Sequence, residues 1–216
     1  MGGKVPHRFN ESEYYVKKIL ALLGVISVLA LSGCGNVDSA ATVGTTTISQ
    51  ASAQSVVDEI LAERAKVDTS GMQLQSGSAL NRGQLRFTII TTLFDEIAKE
   101  LKITVSSTEM AKAKSDLITQ SGGQDALAKN LVAAEIAPSN FDVYIRAVIT
   151  SNKIQEALKA SGVAEADVSA RITQLVNAKA AELKVKVNPR YGTWDQTSGE
   201  IVATDSAGSA VVPSGK

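Results

Sequence analysis

Leu183-Lys184-Val185-Lys186-Val187 alternates apolar and charged side chains, and Asn188-Pro189 ends the alternation. A period of two marks a half-buried strand, and proline stops it because it brings no amide proton to a ladder. Just upstream the period is helical: Val168, Ile172, Leu175 and Val176 share one face of a helix expected from Ala164 to about Leu183. A lone strand would leave its backbone groups unpaired. A partner is available at the other end of the chain, in Ala41-Thr42-Val43-Gly44-Thr45-Thr46-Thr47-Ile48, which is β-branched and turned at Gly44. Pairing the Thr42-Val43 region with Leu183 to Val187 closes the domain end to end.

Between these strands the chain is helical. Ser49 can cap a helix from Ala51 to about Lys66, with Val56, Val57, Ile60 and Leu61 on its apolar face. Val67 to Ser78 lacks periodicity and reads as a loop. From Ala79 to Leu101 the apolar residues Leu85, Ile89, Leu93, Ile97 and Leu101 recur every fourth position, the strongest periodic signal in the sequence. Ser106 and Glu109 have the spacing of a capping box, opening a helix that ends at Gly122-Gly123. A shorter helix follows, from Gln124 to about Ile136. Pro138 suits the first turn of the next, whose stripe is Phe141, Tyr144, Ile145, Val148 and Ile149, reaching Ala160. Ser161-Gly162 breaks it. The expected fold is mainly α, with a short two-stranded β pair joining its N- and C-terminal ends. It spans residues 41–195, and residues 196–216 are expected to be a flexible tail.

The N-terminus has a different character. Lys17-Lys18 precede an apolar run from Ile19 to Leu31, shorter than the ~20 residues a spanning helix needs but suited to an export signal. Leu31-Ser32-Gly33-Cys34 closes it and resembles the lipobox of bacterial lipoprotein precursors. The resemblance implies acylation of the Cys34 thiol and cleavage between Gly33 and Cys34. Residues 1–33 would then be the signal peptide, and residues 34–40 a tether. The protein would sit on the extracytoplasmic face of the cell membrane, held in the bilayer through Cys34.

The helical order itself resembles the chaperone core of SurA and PrsA, the envelope foldases, and more distantly the chaperone domain of trigger factor. Four stretches carry the likeness. Ala41-Thr42-Val43-Gly44 through Ile48-Ser49 is similar to the family's opening strand and turn. Leu93 through Val105, with Glu96, Ala98, Lys99 and Ile103, is similar to its long-helix ending, with Lys102 in place of the usual glycine. Leu131 to Ile136 continues the pattern, with Glu135 in place of another glycine. The closing Val187-Asn188-Pro189-Arg190-Tyr191-Gly192 is similar to the ending of members lacking other domains. The family implies a SurA N-terminal-like helical cradle for unfolded polypeptide. Its parvulin domain would enter near Ser161-Gly162-Val163, where there is no room for one, so prolyl isomerase activity is not expected.

The chemistry available is limited. His7 is the single histidine and Cys34 the single cysteine. With His7 in the leader, residues 34–216 can build no Ser-His-Asp triad, no Cys-His pair and no Cys/His metal site. No disulfide can form within the chain. The leader removes four cations and two carboxylates, leaving a slightly acidic remainder unsuited to nucleic acid. Neither a cofactor nor a metal is expected, and the protein is not expected to be an enzyme. Carboxylate pairs at Asp58-Glu59 and Asp95-Glu96 read as solvated helix faces. Arg190, Tyr191 and Trp194 are candidates for contact with a client or partner, or for capping the open end of the fold. The expected function is a holdase for unfolded or secreted polypeptides. The alternative is an adaptor lipoprotein that docks one specific partner.

Overall fold

The structure is a computed structural model that describes residues 38–204. Gly33 and Cys34, with the expected signal peptide, lie outside the described residues. Strand β1 (Ser39–Val43) turns at Gly44 into β2 (Thr46–Ser49). β1 is the middle strand of an antiparallel sheet in the order β2-β1-β3, where β3 is Lys186–Val187. Ala41 pairs with Val187 and Thr42 with Lys186, so the two ends of the fold meet as the alternating pattern requires. The strand is shorter than Leu183 to Val187, because the preceding helix claims Leu183 as its C-cap. The alternation still sorts the side chains: Val185 is buried, whereas Lys184 and Lys186 face solvent.

Helix α1 (Gln50–Arg64) starts at Ser49, whose Oγ accepts the Ser52 amide at 3.0 Å. Helix α2 (Gly77–Glu100) is the spine. Its stripe Leu85, Ile89, Leu93 and Ile97 is sealed from water and packs against α1, α5 (Phe141–Ala160) and α6 (Glu165–Glu182). Helices α3 (Ser107–Ser121) and α4 (Gln124–Ala133) pack on each other, and α3 also packs on α5. Pro138 opens a single 3-10 turn, Pro138–Asn140, ahead of α5, where its missing amide hydrogen is not needed. Two residues expected on apolar faces lie open instead. Leu61 is 48% exposed and Val148 40% exposed, each at the solvent margin of its helix.

Helix ends explain the two departures from the family's glycines. Lys102 (φ 54°) and Glu135 (φ 56°) both adopt the left-handed conformation. Each follows a helix whose last carbonyls are satisfied from beyond the end, Ile103 N–H to Ala98 at 2.8 Å and Ile136 N–H to Leu131 at 2.9 Å. This is the Schellman arrangement, in which glycine is preferred because it has no Cβ to clash. Among the described residues, Lys102 makes no compensating side-chain bond. Lys102→Gly should therefore stabilise the fold by up to about 1 kcal/mol, read as a raised denaturant midpoint. A lowered midpoint would show that the lysine contributes something the geometry does not reveal.

Glu135 is different. Its Oε1 accepts from Arg64 at 2.7 Å and from the Gln75 amide at 2.5 Å, and its carbonyl accepts from Gln84 Nε2 at 3.0 Å. Arg64 Nη1 also donates to the Gln75 carbonyl at 2.8 Å. The carboxylate thus ties the end of α1 and the loop after it to the end of α4, and the Glu135 carbonyl adds α2.

The C-terminal segment corrects an expectation. Residues 196–204 are not a loose tail: β4 (Thr193–Asp195) and β5 (Glu200–Val202) form a second antiparallel hairpin. Asp195 accepts the Thr197 amide at 2.7 Å, an Asx turn that shapes the loop between the strands. Those amide bonds hold the Asp195 carboxyl below its usual range. The hairpin turns Trp194 and Ile201 into the core beside α2. Residues 205–216 lie outside the described residues.

Candidate polypeptide-binding groove

Helices α5 and α6 form a hairpin. Gly162 (φ 91°) ends α5 in the left-handed region, and Val163 N–H reaches back to the Leu158 carbonyl at 3.1 Å. Ile154 and Leu158 of α5 and Val168 of α6 are buried in the core and hold the pair together. Above them runs a groove of about 330 Å³. Ser151, Gln155 and Lys159 line one wall, one turn apart on α5, and Ser169, Ile172 and Thr173 line the other. Lys159 and Glu165 close one end with an ion pair of 2.6 Å, which lowers the Glu165 carboxyl below its usual range. Val148 lies one turn before Ser151 and extends the apolar surface beyond the groove.

Val168 and Ile172 supply the apolar part of the lining, and apart from the Lys159–Glu165 pair at the closed end its polar groups are uncharged. Thr173 Oγ1 already donates to the Ser169 carbonyl at 3.1 Å. The amide of Gln155 and the hydroxyls of Ser151 and Ser169 can exchange hydrogen bonds with a passing main chain. Such a lining offers apolar contact and hydrogen-bonding groups side by side, which an amide backbone with intermittent apolar side chains can use. It contains no nucleophile with an adjacent base.

Helix α3 buries none of its residues below the level typical of a core. It is held to α5 by two ion pairs, Lys153 to Glu109 at 2.6 Å and Lys114 to Asp142 at 2.6 Å. The expected capping box is present: Ser106 Oγ accepts the Glu109 amide at 3.2 Å, and Glu109 accepts the Ser106 amide at 2.8 Å. Lys153 and Ser106 together lower the Glu109 carboxyl from 4.5 to about 2. A depressed carboxylate contributes stability that is present above its unfolded value and lost as pH falls through its folded one. The α3–α5 junction should therefore loosen between about pH 4.5 and 2. Amide exchange should quicken in the first turn of α3 before the α2 core opens, and unchanged α3 protection across that window would refute the assignment.

A family model described as SurA-like N-terminal domain matches residues 8–155. The chain belongs to the SurA-like N-terminal domain family. No curated protein and no solved structure matches the chain. The family match ends at Gln155 within α5, so the SurA-like domain supplies Ser151 and Gln155 to the groove. The facing α6 wall and the closing strands come from residues beyond the matched range.

The sequence candidates fall in separate places. Trp194 is a core residue, 7% exposed. Tyr191 is half-buried against the same core. Arg190 is exposed, its guanidinium 5.8 Å from the Tyr191 ring centroid, and it donates to Gln50 Oε1 at the start of α1. Arg190 and Tyr191 thus close one end of the fold, and Trp194 does not join them in a surface cluster. Gly33 and Cys34 lie outside the described residues. Three of the four paired carboxylates are engaged structurally: Gln54 donates to Asp58, the Ser139 amide to Glu59 and Lys99 to Glu96. Among the described residues, no group of three or more His, Cys, Asp and Glu side chains is placed to hold a metal ion. No described helix is long and apolar enough to cross a membrane. The groove was hidden from the sequence because Val168 and Ile172 have the same periodicity whether a helix face meets core or solvent.

Proposed function

We propose that this SurA-like domain is a membrane-tethered, extracytoplasmic holdase that binds unfolded or newly exported polypeptide without catalysis. Membership of the SurA-like N-terminal family is the observation that carries the proposal. The α5–α6 groove supports it, since its apolar and mostly uncharged polar lining suits a backbone of any sequence. The export signal and Leu31-Ser32-Gly33-Cys34 support the location. In this reading Asp38 lies four positions after the acylated Cys34, a reach of at most about 14 Å. The Gly44 amide donates to the Leu183 carbonyl at 2.8 Å, which fixes the C-terminal end of α6 at the sheet. At 1.5 Å per residue, the Glu165 end of the groove lies about 27 Å along α6 from that contact.

The test is aggregation of several unrelated denatured proteins in the presence of the purified chain. Suppression at near-stoichiometric ratios is expected. Ile172→Asp, on the half-exposed wall of the groove, should weaken client binding about tenfold or more while leaving the far-ultraviolet spectrum unchanged. Failure to protect any client, with one partner retained on pull-down, would reassign the domain to an adaptor. For the anchor, Cys34→Ala should release the protein from the membrane or leave its signal uncut. Normal processing and retention of that variant would remove the lipid from the account.

A further inference from the structure

A second depression, polar and much smaller, lies where α1 and α2 meet the segment after β3. It has a volume of about 110 Å³ and is lined by Gln54, Ser78, Asn81, Arg82, Arg190 and Tyr191. Two guanidinium groups face this cleft, and no carboxylate lines it. Arg190 is held in place by Tyr191 and by its bond to Gln50. Arg82 is half-buried on α2 and has no hydrogen-bond or ion-pair partner among the described residues. Asp58 accepts from Gln54 of the cleft wall at 2.9 Å, and Glu200 pairs with Arg86, one turn along α2 from Arg82, at 2.8 Å, so neither pairs with Arg82 or Arg190. Two like charges sharing a small cleft repel each other unless an anion lies between them. Guanidinium groups offer paired donors that match phosphate, and the Asn81 amide and Ser78 hydroxyl add neutral donors alongside.

The cleft's position identifies the source of the phosphate. Arg190 bonds Gln50, and the Gln50 amide donates to the Asp38 carbonyl at 2.7 Å. Asp38 is where the tether enters the fold, four residues after Cys34. We infer that the Arg82–Arg190 cleft binds the phosphate of an anionic phospholipid headgroup and seats the domain on the membrane that holds its tether. The choice of lipid over free phosphate rests on the anchored reading proposed above. Seating by Arg82 and Arg190 would fix the orientation of the domain, which a short flexible tether alone does not.

Vesicle flotation of the full chain carrying Cys34→Ser tests this without any acyl anchor. Vesicles of phosphatidylcholine alone are compared with vesicles in which one lipid in three is phosphatidylglycerol. The leader contributes equally to every variant, so the informative quantity is the phosphatidylglycerol-dependent increment. The increment should fall about tenfold in Arg82→Gln with Arg190→Gln, and several-fold in Arg82→Gln alone. Arg82→Gln breaks no bond in the fold, so loss of structure does not confound it, and Arg82→Lys should restore part of the binding. An increment that survives both arginine changes overturns the site. Protection of the chain against thermal unfolding by inorganic phosphate, without any arginine-dependent vesicle binding, overturns the lipid assignment. Because no acyl chain is present, these outcomes are independent of whether Cys34 is lipidated in the cell and of whether the groove holds clients.

Discussion

Gly192→Ala should detach the C-terminal hairpin from the core. Gly192 has φ 128°, outside the range open to an L side chain, and a Cβ there would lie 2.2 Å from the Val202 carbonyl oxygen. That oxygen belongs to the backbone of β5, whose Val202 pairs with Thr193 of β4. Relief therefore requires the ladder to open or the turn after Asn188 to unwind. Either movement withdraws Trp194 and Ile201, both 7% exposed, from their packing beside α2. Backbone strain and lost burial together should cost about 3 kcal/mol or more. Trp194 is the single tryptophan of the chain, so its emission reports the event without ambiguity. A red shift at temperatures where the helices persist is the expected result. An unchanged spectrum and melting temperature would mean the hairpin tolerates the methyl group by a route the geometry does not offer.

Glu135→Ala should be nearly as costly, for an electrostatic reason. The Arg64 and Glu135 side chains are only 13% and 14% exposed. Removing the carboxylate leaves a guanidinium with reduced access to water and deprives the Gln75 amide of its acceptor. An unpaired, partly buried charge typically costs about 3 kcal/mol. Glu135→Gly separates two effects. It relieves the left-handed strain by up to about 1 kcal/mol but loses the same network, so it should remain destabilising by about 2 kcal/mol. Denaturant midpoints of the two variants, with Lys102→Gly as reference, test this ordering. If Glu135→Gly matched Lys102→Gly, the ion pair would contribute nothing. Faster amide exchange around Gln75 in both Glu135 variants would locate the damage.

These residues also show where sequence patterns were informative. The stripe from Leu85 to Ile97 was legible because a buried helix face repeats over several turns. The capping box at Ser106 and Glu109 was legible because both partners lie within one turn. The pairing of Ala41 with Val187 was accessible only by elimination, since a lone short strand needs a partner. The second hairpin was missed. Its strands are three residues each, and what holds them is the burial of Trp194 and Ile201 against a helix a hundred positions away. The left-handed helix ends at Lys102 and Glu135 broke the local rule that would have flagged them. At Glu135 the reason is a bond to Arg64, which spacing along the chain does not reveal. Grooves and clefts are properties of the space between elements. The walls at Ser151 and Ser169, and the meeting of Arg82 with Arg190, have no linear signature.

The middle position of β1 in its sheet has a consequence for a chain synthesised N-terminus first. β1 and β2 can pair as soon as they emerge, but the other edge of β1 has no occupant until β3 arrives. Loop-closure entropy makes so distant a pairing slow as well as late. During that interval the nascent domain presents an open strand edge to its surroundings, a template on which another strand can pair. A chain stalled before Lys186 would keep that edge open, so complete synthesis, and not the early appearance of α2, sets the moment at which this domain becomes safe from self-association.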